Sequence, residues 1–396
     1  MQILRIDIAI IGGGIAGLWS LNQLRDRGYS AALFECEALG AGQTIASQGI
    51  IHGGIKYALG GAWSGGSEAI ATMPSAWRAC LAGEGAVDLR GCRVLAEHIH
   101  LWSGDAPLPR LATLLASRLV RGSVEKLRRE DYPVPLQHPD FAGQVYRLAD
   151  LVLDVPSLLA TLATRHRNAL FRVDWGEAQL VNNDGRAELH LPGCRVQPER
   201  LLLAAGAGNG ELIAALGGSR PAMQCRPLQQ VLVRHRYRQP LFGHCIGTNP
   251  SPRITLSTHH TAAGEPVWYL GGDLATDGAD EEPRRLIDRA RRELAGLLPW
   301  IDFGASEWRT LRLDRAEPRQ SAVLRPERAF VGAVDSVANV LVAWPTKLSL
   351  APDLGNEVER QLAVAAVLPR HEPDLTPLAA MGRPPVAEPC WETLFQ

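Results

Sequence analysis

Residues 8–20 read IAIIGGGIAGLWS. The apolar run Ile8–Ile11 has the character of a buried parallel strand. It meets Gly12, Gly14 and Gly17 in the pattern G-x-G-x-x-G, and Leu18, Leu21 and Leu24 follow at helical spacing. Gly28 ends that helix, and SAALFE (30–35) reads as the next strand, closing on Glu35. Strand, glycine turn, helix and strand in this order restrict the chain's start to a Rossmann-like α/β unit. Gly12 permits the tight turn, Gly14 lets the backbone approach a pyrophosphate that a Cβ would repel, and Gly17 lets the helix pack closely on the sheet. The helix start, with Ile15 and Ala16, offers free N–H groups and partial positive charge to phosphates. Glu35, about 20 residues past the first glycine, is placed to accept hydrogen bonds from ribose hydroxyls, and its charge disfavours NADP.

With 396 residues, 46% of them hydrophobic, the chain can bury a large core in roughly two or three structural units. A formal net charge of −1 argues against a general nucleic-acid binder. None of the seven cysteines (Cys36, Cys80, Cys92, Cys194, Cys225, Cys245, Cys390) forms a C-x-x-C pair, which suits a reducing compartment. No stretch reaches about 18 consecutive apolar residues, so no transmembrane segment is expected. The start lacks the basic region of a secretory signal. These features read as a cytoplasmic protein, with peripheral contact at the inner face of a membrane left open. No histidine or cysteine spacing supports a metal site, and no nucleophile elbow appears.

Three further segments carry flavin-like features. RLLLAAGAGNGEL (200–212) is an apolar strand whose small residues, Ala205 and Gly206 among them, let backbone lie against a cofactor; it also reads as a ligand-free strand-to-helix turn. NVLVAWPTKLSLAP (339–352) is a strand, a loop with Thr346, Lys347 and Leu348, and a helix start able to face a flavin's pyrimidine edge. SQGIIHGGIKY (47–57) combines glycines with His52, Lys56 and Tyr57. With LADLVLDVPSLLATLATR (148–165), this ordered set resembles the superfamily of FAD-dependent oxidoreductases that includes D-amino acid oxidase, glycine oxidase, glycerol-3-phosphate dehydrogenase and L-2-hydroxyglutarate oxidase.

The resemblance implies an α/β fold (α+β overall), with a Rossmann-like FAD-binding domain and a second, mainly antiparallel-sheet substrate domain, discontinuous in sequence. The FAD-binding domain would take residues 1–85, 148–218 and 322–368, and the substrate domain 86–147 and 219–321. Within the latter, 226–236 and 266–274 read as strands and 281–298 as an amphipathic helix. The proline-rich tail 369–396 is expected to run extended or wrap the molecule. The cofactor implied is FAD, held non-covalently, with a covalent link at His52 as the alternative seen in dimethylglycine- and sarcosine-dehydrogenase relatives. Gln43, Thr44, Ser47, Gln48 and Gly49 would run beside it, Ala178 would touch it, and His52, Lys56 and Tyr57 would reach its reactive face.

Flavin oxidation needs a cation to hold an anionic substrate and a base for an alcohol's proton. In EWRTLRLDRAEPRQ (307–320), Arg312 matches the family's carboxylate-binding arginine, with Arg309 and Arg315 as alternates. Lys56 and Lys347 are further cations; each also reads as an ordinary ion-pair partner. His52 is placed as the base and Tyr57 as a hydrogen-bond donor; His259 and His260 are lesser alternates for the base that could face the pocket, and read more readily as a surface pair in a turn. The expected activity is FAD-dependent oxidation of a small anionic substrate (a 2-hydroxy acid, an amino acid or a related amine) by hydride transfer to flavin N5. Electrons would pass to oxygen, a quinone or an electron-accepting protein. A flavoprotein subunit of a larger complex is the alternative, and modification of a macromolecule such as tRNA is a third reading that the near-neutral charge disfavours.

Overall fold

The amino-terminal apolar run is strand β1 (Gln2–Ile11), buried from Ile6 to Ile11. Helix α1 (Ile15–Asp26) leaves from Gly14, and β2 (Ala31–Glu35) returns parallel to β1, with Ile11 level with Phe34. The computed structural model describes residues 2–53, 70–104, 124–247, 249, 251–319, 328–370 and 374–396. The other neighbour of β1 is the parallel strand Cys194–Leu203, whose late half pairs in parallel with Val340–Trp344. Leu170–Arg172 lies parallel outside β2, and antiparallel strands complete an eight-stranded sheet.

Side-chain alternation divides this sheet's core. Ile8, Ile10, Leu33 and Leu202 pack on one face; Ala9, Ile11, Phe34, Leu201 and Leu203 pack on the other. Burial on both faces explains why these strands are near-continuous apolar runs. On the first face, α1 packs beside helices Val155–Arg165 and Ala351–Val364. Their inward side chains include Leu158, Leu162, Leu354 and Val358, each stabilising the fold by about 1.5–3 kcal/mol on burial. The Asp154 carboxylate accepts the Ser157 N–H and Pro156 sits in the first turn, which fixes where helix Val155–Arg165 begins.

A second eight-stranded sheet runs in the order 307–318, 223–234, 266–271, 252–260, 243–246, 99–103, 145–148, 124–126. It is antiparallel except where Ile99–Ser103 lies beside Gly243–Ile246. The expected amphipathic helix spans Pro283–Leu297, and its stripe Leu286, Ala290, Leu294 and Leu297 joins one apolar cluster with Leu256, Trp268 and Leu270. A third, three-stranded sheet links β3 (Ile50–Ile51) to Leu151–Leu153 and Val94–Ala96.

The tail touches both large sheets' surroundings. Leu39 donates its N–H to Pro385 O at 2.7 Å, and Ala387 donates back to Leu39 O at 2.9 Å. The chain then forms a short helix, Cys390–Leu394, whose Trp391 stacks on His259 at 4.4 Å. This corrects the expectation for the histidine pair. Both residues belong to strand Pro252–His260; His260 is exposed, but His259 is buried, and burial pushes its imidazole down to about 4. Among the described residues, no helix is long and apolar enough to cross a membrane.

Candidate functional site

The parallel strands β1, β2, Cys194–Leu203 and Val340–Trp344 all end on the same edge of the first sheet. There the chain continues through Gly12, Cys36, Ala204 and Pro345, and this carboxyl edge is where open α/β sheets bind ligands. A cleft of about 1280 Å³ opens at it and runs to the second sheet. That exceeds the roughly 300–1,000 Å³ of a drug-sized pocket and leaves room for a dinucleotide with a substrate.

The cleft's floor fits FAD. Gly12 has φ +108°, and a Cβ there would lie 2.6 Å from Ala205 Cα. Gly14 caps α1 without a side chain of its own, and the helix start lines the cleft. Thr44 Oγ1 accepts one of the leading N–H groups, that of Ile15, at 3.0 Å. Glu35 accepts from Gly13 N at 2.6 Å and from Glu37 N at 2.8 Å, which fixes its carboxylate at the wall. Ile15, Ala16, Gln43, Ser47, Gln48, Ala205, Gly206, Thr346, Lys347 and Leu348 also line the cleft. Trp344 donates its indole N–H to Gly206 O at 3.0 Å, tying two of the strand ends together. Thr346 holds φ +62°, a left-handed conformation that is costly for a β-branched residue.

Several expected residues lie elsewhere. Gly17 does not line the cleft but has the packing role expected of it, since a Cβ there would come 1.9 Å from Gly12 O and 3.2 Å from Leu33 Cδ1. Gly49, with φ +73°, would place a Cβ 2.1 Å from Leu153 O, and its glycine serves the β3 ladder. Ala178 is buried in the first sheet's apolar cluster, while nearby Trp175 lines the cleft. Arg312 is turned away: it donates to Ala279 O at 2.6 Å, pairs with Asp280 and is absent from the cleft wall. Arg315, on the same strand, lines the cleft. Arg309 donates to Leu394 O in the tail. Lys56, Tyr57 and Gly54 lie outside the described residues.

Toward the second sheet, Gln48 Nε2 donates to Tyr269 O at 2.7 Å, and the Tyr269 hydroxyl stands 2.8 Å from Ala46 O and 2.9 Å from Gln230 Oε1. Burial raises that phenol's pKa well above its ordinary value, so it stays neutral. The Cys36 thiol on the wall is pushed up by burial and by Glu35, which favours its protonated form. His52 lines the cleft, its Nδ1 3.3 Å from Asp150 Oδ2 and its ring stacked on His244 with centroids 5.3 Å apart. Sequence reasoning missed Asp150, His244 and Gln230. An acid inside the apolar run LADLVL was the available signal for the first, since a buried carboxylate requires partners.

Comparison with known proteins shows the family and the fold. The profile of a family described as FAD dependent oxidoreductase (DAO) matches residues 7–343. The chain is 48% identical over 397 residues to "Probable FAD-dependent oxidoreductase PA4991" of Pseudomonas aeruginosa, covering 100% of this chain and 99% of that protein. The crystal structure of PA4991 superposes with a TM-score of 0.87 at 44% identity over 100% of both chains. Glycine oxidase from Geobacillus kaustophilus shares the fold at TM-score 0.63 and 19% identity, over 95% of this chain and 98% of that one. Iminodiacetate oxidase from Chelativorans sp. BNC1 shares it at TM-score 0.66 and 17% identity, over 96% and 100%. The chain belongs to the FAD dependent oxidoreductase family.

Proposed function

We propose that the protein oxidises a small anionic molecule, a 2-hydroxy acid, an amino acid or a related amine, at the end of the cleft where His52 stands. The observation that carries this is the cleft's continuity. One wall is the glycine turn and start of α1, and the same cavity reaches two cations, Arg315 and Lys347, and the imidazole of His52. When bound, FAD supplies a two-electron acceptor that takes hydride at N5.

The protein's own groups do the rest. The start of α1 and the Gly12 turn hold the diphosphate, and Glu35 takes the ribose hydroxyls. Arg315 and Lys347 draw the substrate's anionic end into the cleft; Arg315 offers a planar fork that matches a carboxylate through two hydrogen bonds. His52 Nε2 accepts the proton of the substrate's hydroxyl or ammonium group. The Gln48–Tyr269–Gln230 network holds the segment that leads to His52 against the second sheet before substrate arrives. Glycine and iminodiacetate, which appear in the names of two proteins of the same fold, are molecules of this kind.

The test is anaerobic loss of flavin absorbance against a panel of hydroxy acids, amino acids, N-methyl amino acids and polyol phosphates. Bleaching by one of the carboxylate classes supports the proposal; bleaching by none of them, with authentic FAD bound, rejects it. Repeating the reaction with oxygen, then with a quinone or a dye, identifies the acceptor class.

A further inference from the structure

We infer that Asp150 is a positioning residue that fixes the imidazole of His52 as the proton acceptor of the cleft, with His244 as its stacked support. The inference rests on the reading of the cleft given under Proposed function.

The placement follows from strand register. β3 pairs antiparallel with Leu151–Leu153, Ile50 opposite Val152 and Ile51 opposite Leu151. Carried one residue further, that register sets His52 opposite Asp150. The carboxylate is buried, with its side chain 3% exposed, and both oxygens are engaged there: Oδ1 accepts from Gly53 N at 2.8 Å and Oδ2 stands 3.3 Å from His52 Nδ1. A group held at two points by the backbone and ring of adjacent residues cannot rotate away from either.

An ionised carboxylate only accepts hydrogen bonds, so Nδ1 carries the hydrogen and the lone pair resides on Nε2. In the proton step, the substrate's O–H or N–H bond breaks, its electron pair stays on the heteroatom, and the proton goes to Nε2. The imidazolium that results is balanced by the Asp150 charge, as in the histidine–aspartate pair of serine hydrolases. Behind it, His244 is fully buried, and its Nδ1 lies 2.8 Å from Thr255 Oγ1, on a residue that also lines the cleft. Two stacked imidazoles resist double protonation, so one carboxylate serves one positive charge.

Donor atoms of His52, Asp150 and His244 all lie within 4.8 Å of one another. Ring nitrogen lone pairs lie in the ring plane, however, and the two imidazoles are stacked with planes only 27° apart. That arrangement suits a shared proton environment better than convergence on one ion. Among the described residues, ionisable groups on the surrounding elements include Arg78, which donates to Ala149 O at 2.9 Å, the Arg93–Asp154 pair and Glu97 at the ends of the paired strands, His100 on the strand beside Gly243, and Lys347 in the cleft.

The test compares holoenzyme carrying Asp150→Asn, His52→Gln and both changes. Two readouts are used: the pH profile of anaerobic flavin reduction, and the ¹⁵N chemical shifts of the His52 ring across pH. The second requires no substrate and so separates failure of this inference from failure of the parent reading. Asp150→Asn is expected to slow reduction about 10²–10⁴-fold, with FAD still bound. Its acidic limb should move to lower pH, because the histidine loses the charge that favours its protonation. The double variant should be no slower than His52→Gln alone. In the ring spectra, wild-type protein should show hydrogen on Nδ1 and the Asn variant a changed tautomer. Additive losses in the double variant, an unmoved pH limb, or an unchanged tautomer would overturn the inference. So would one equivalent of zinc retained by the wild-type protein and lost on His244→Ala.

Discussion

Gly12 and Ala205 meet back to back: a Cβ on Gly12 would lie 2.6 Å from Ala205 Cα, and Gly12 holds φ +108°. Two strand ends of the first sheet converge at this contact, and the cleft begins there. Gly12→Ala therefore meets a backbone clash and a left-handed conformation together, the second alone costing about 1–3 kcal/mol. The variant is expected to purify without yellow colour and to melt earlier than the parent; absorbance and a thermal melt with added FAD check both.

Glu35 holds the N–H groups of Gly13 and Glu37 at the cleft wall, where it is proposed to take the ribose hydroxyls. Glu35→Ala removes an acceptor for two backbone donors and for the cofactor. FAD affinity should fall about 10–100-fold, roughly one hydrogen bond to a charged group, as measured by fluorescence titration of apoprotein.

Arg315 and Arg312 provide a matched pair of controls on one strand. Arg315→Met should raise KM for carboxylate substrates about 10²-fold while leaving FAD bound, whereas Arg312→Met, which loses only Ala279 O and Asp280, should change KM less than about threefold. Steady-state kinetics with any substrate that bleaches the flavin decides it. Equal effects of the two changes would remove the basis for placing the substrate's anion at Arg315.

Stability should fall on acidification from a stated cause. His100, His235 and His259 are each pushed down by burial to about 4. Their unfolded forms bind protons near 6.5 while the folded forms stay neutral, so their contribution is intact above about pH 6.5 and is lost as the pH drops toward 4. Between pH 6.5 and 5 each should cost about 1–2 kcal/mol, which denaturant melts at the two pH values will show. A flat profile would mean that the three imidazoles reach solvent.

Acid precipitation should release all of the flavin into the supernatant, as expected for a non-covalent cofactor; colour retained in the pellet and lost in His52→Gln would instead show a covalent bond at His52.

The parts legible in the sequence are those encoded locally. The β1 run, the glycine turn and the closing Glu35 specify the first sheet's start because strand, turn and helix each have their own short-range pattern. Helix Pro283–Leu297 was legible for the same reason, through its apolar stripe. Partnerships across strands were not. Arg312 and Arg315 differ by three positions on a strand whose residues alternate between faces, so a small register error exchanges a surface ion pair for a cleft cation. Gly49 reads like a cofactor glycine although its constraint is Leu153 O, because a backbone carbonyl and a phosphate both exclude a Cβ. His52 and Asp150 are 98 residues apart, and only the pairing of β3 with Leu151–Leu153 brings them together. The histidine pair read as a turn because its polar residues conceal a strand whose back is sealed by Trp391 of the tail.

A negative charge on the substrate is proposed to be read by the cations of the cleft wall, Arg315 and Lys347. This recognition is tested most directly by anaerobic flavin reduction with an acid that bleaches the protein and with that acid's uncharged amide. Fast reduction by the acid, slow reduction by the amide, and loss of the difference in Arg315→Met are expected. Equal reduction by acid and amide in the wild-type protein would contradict it.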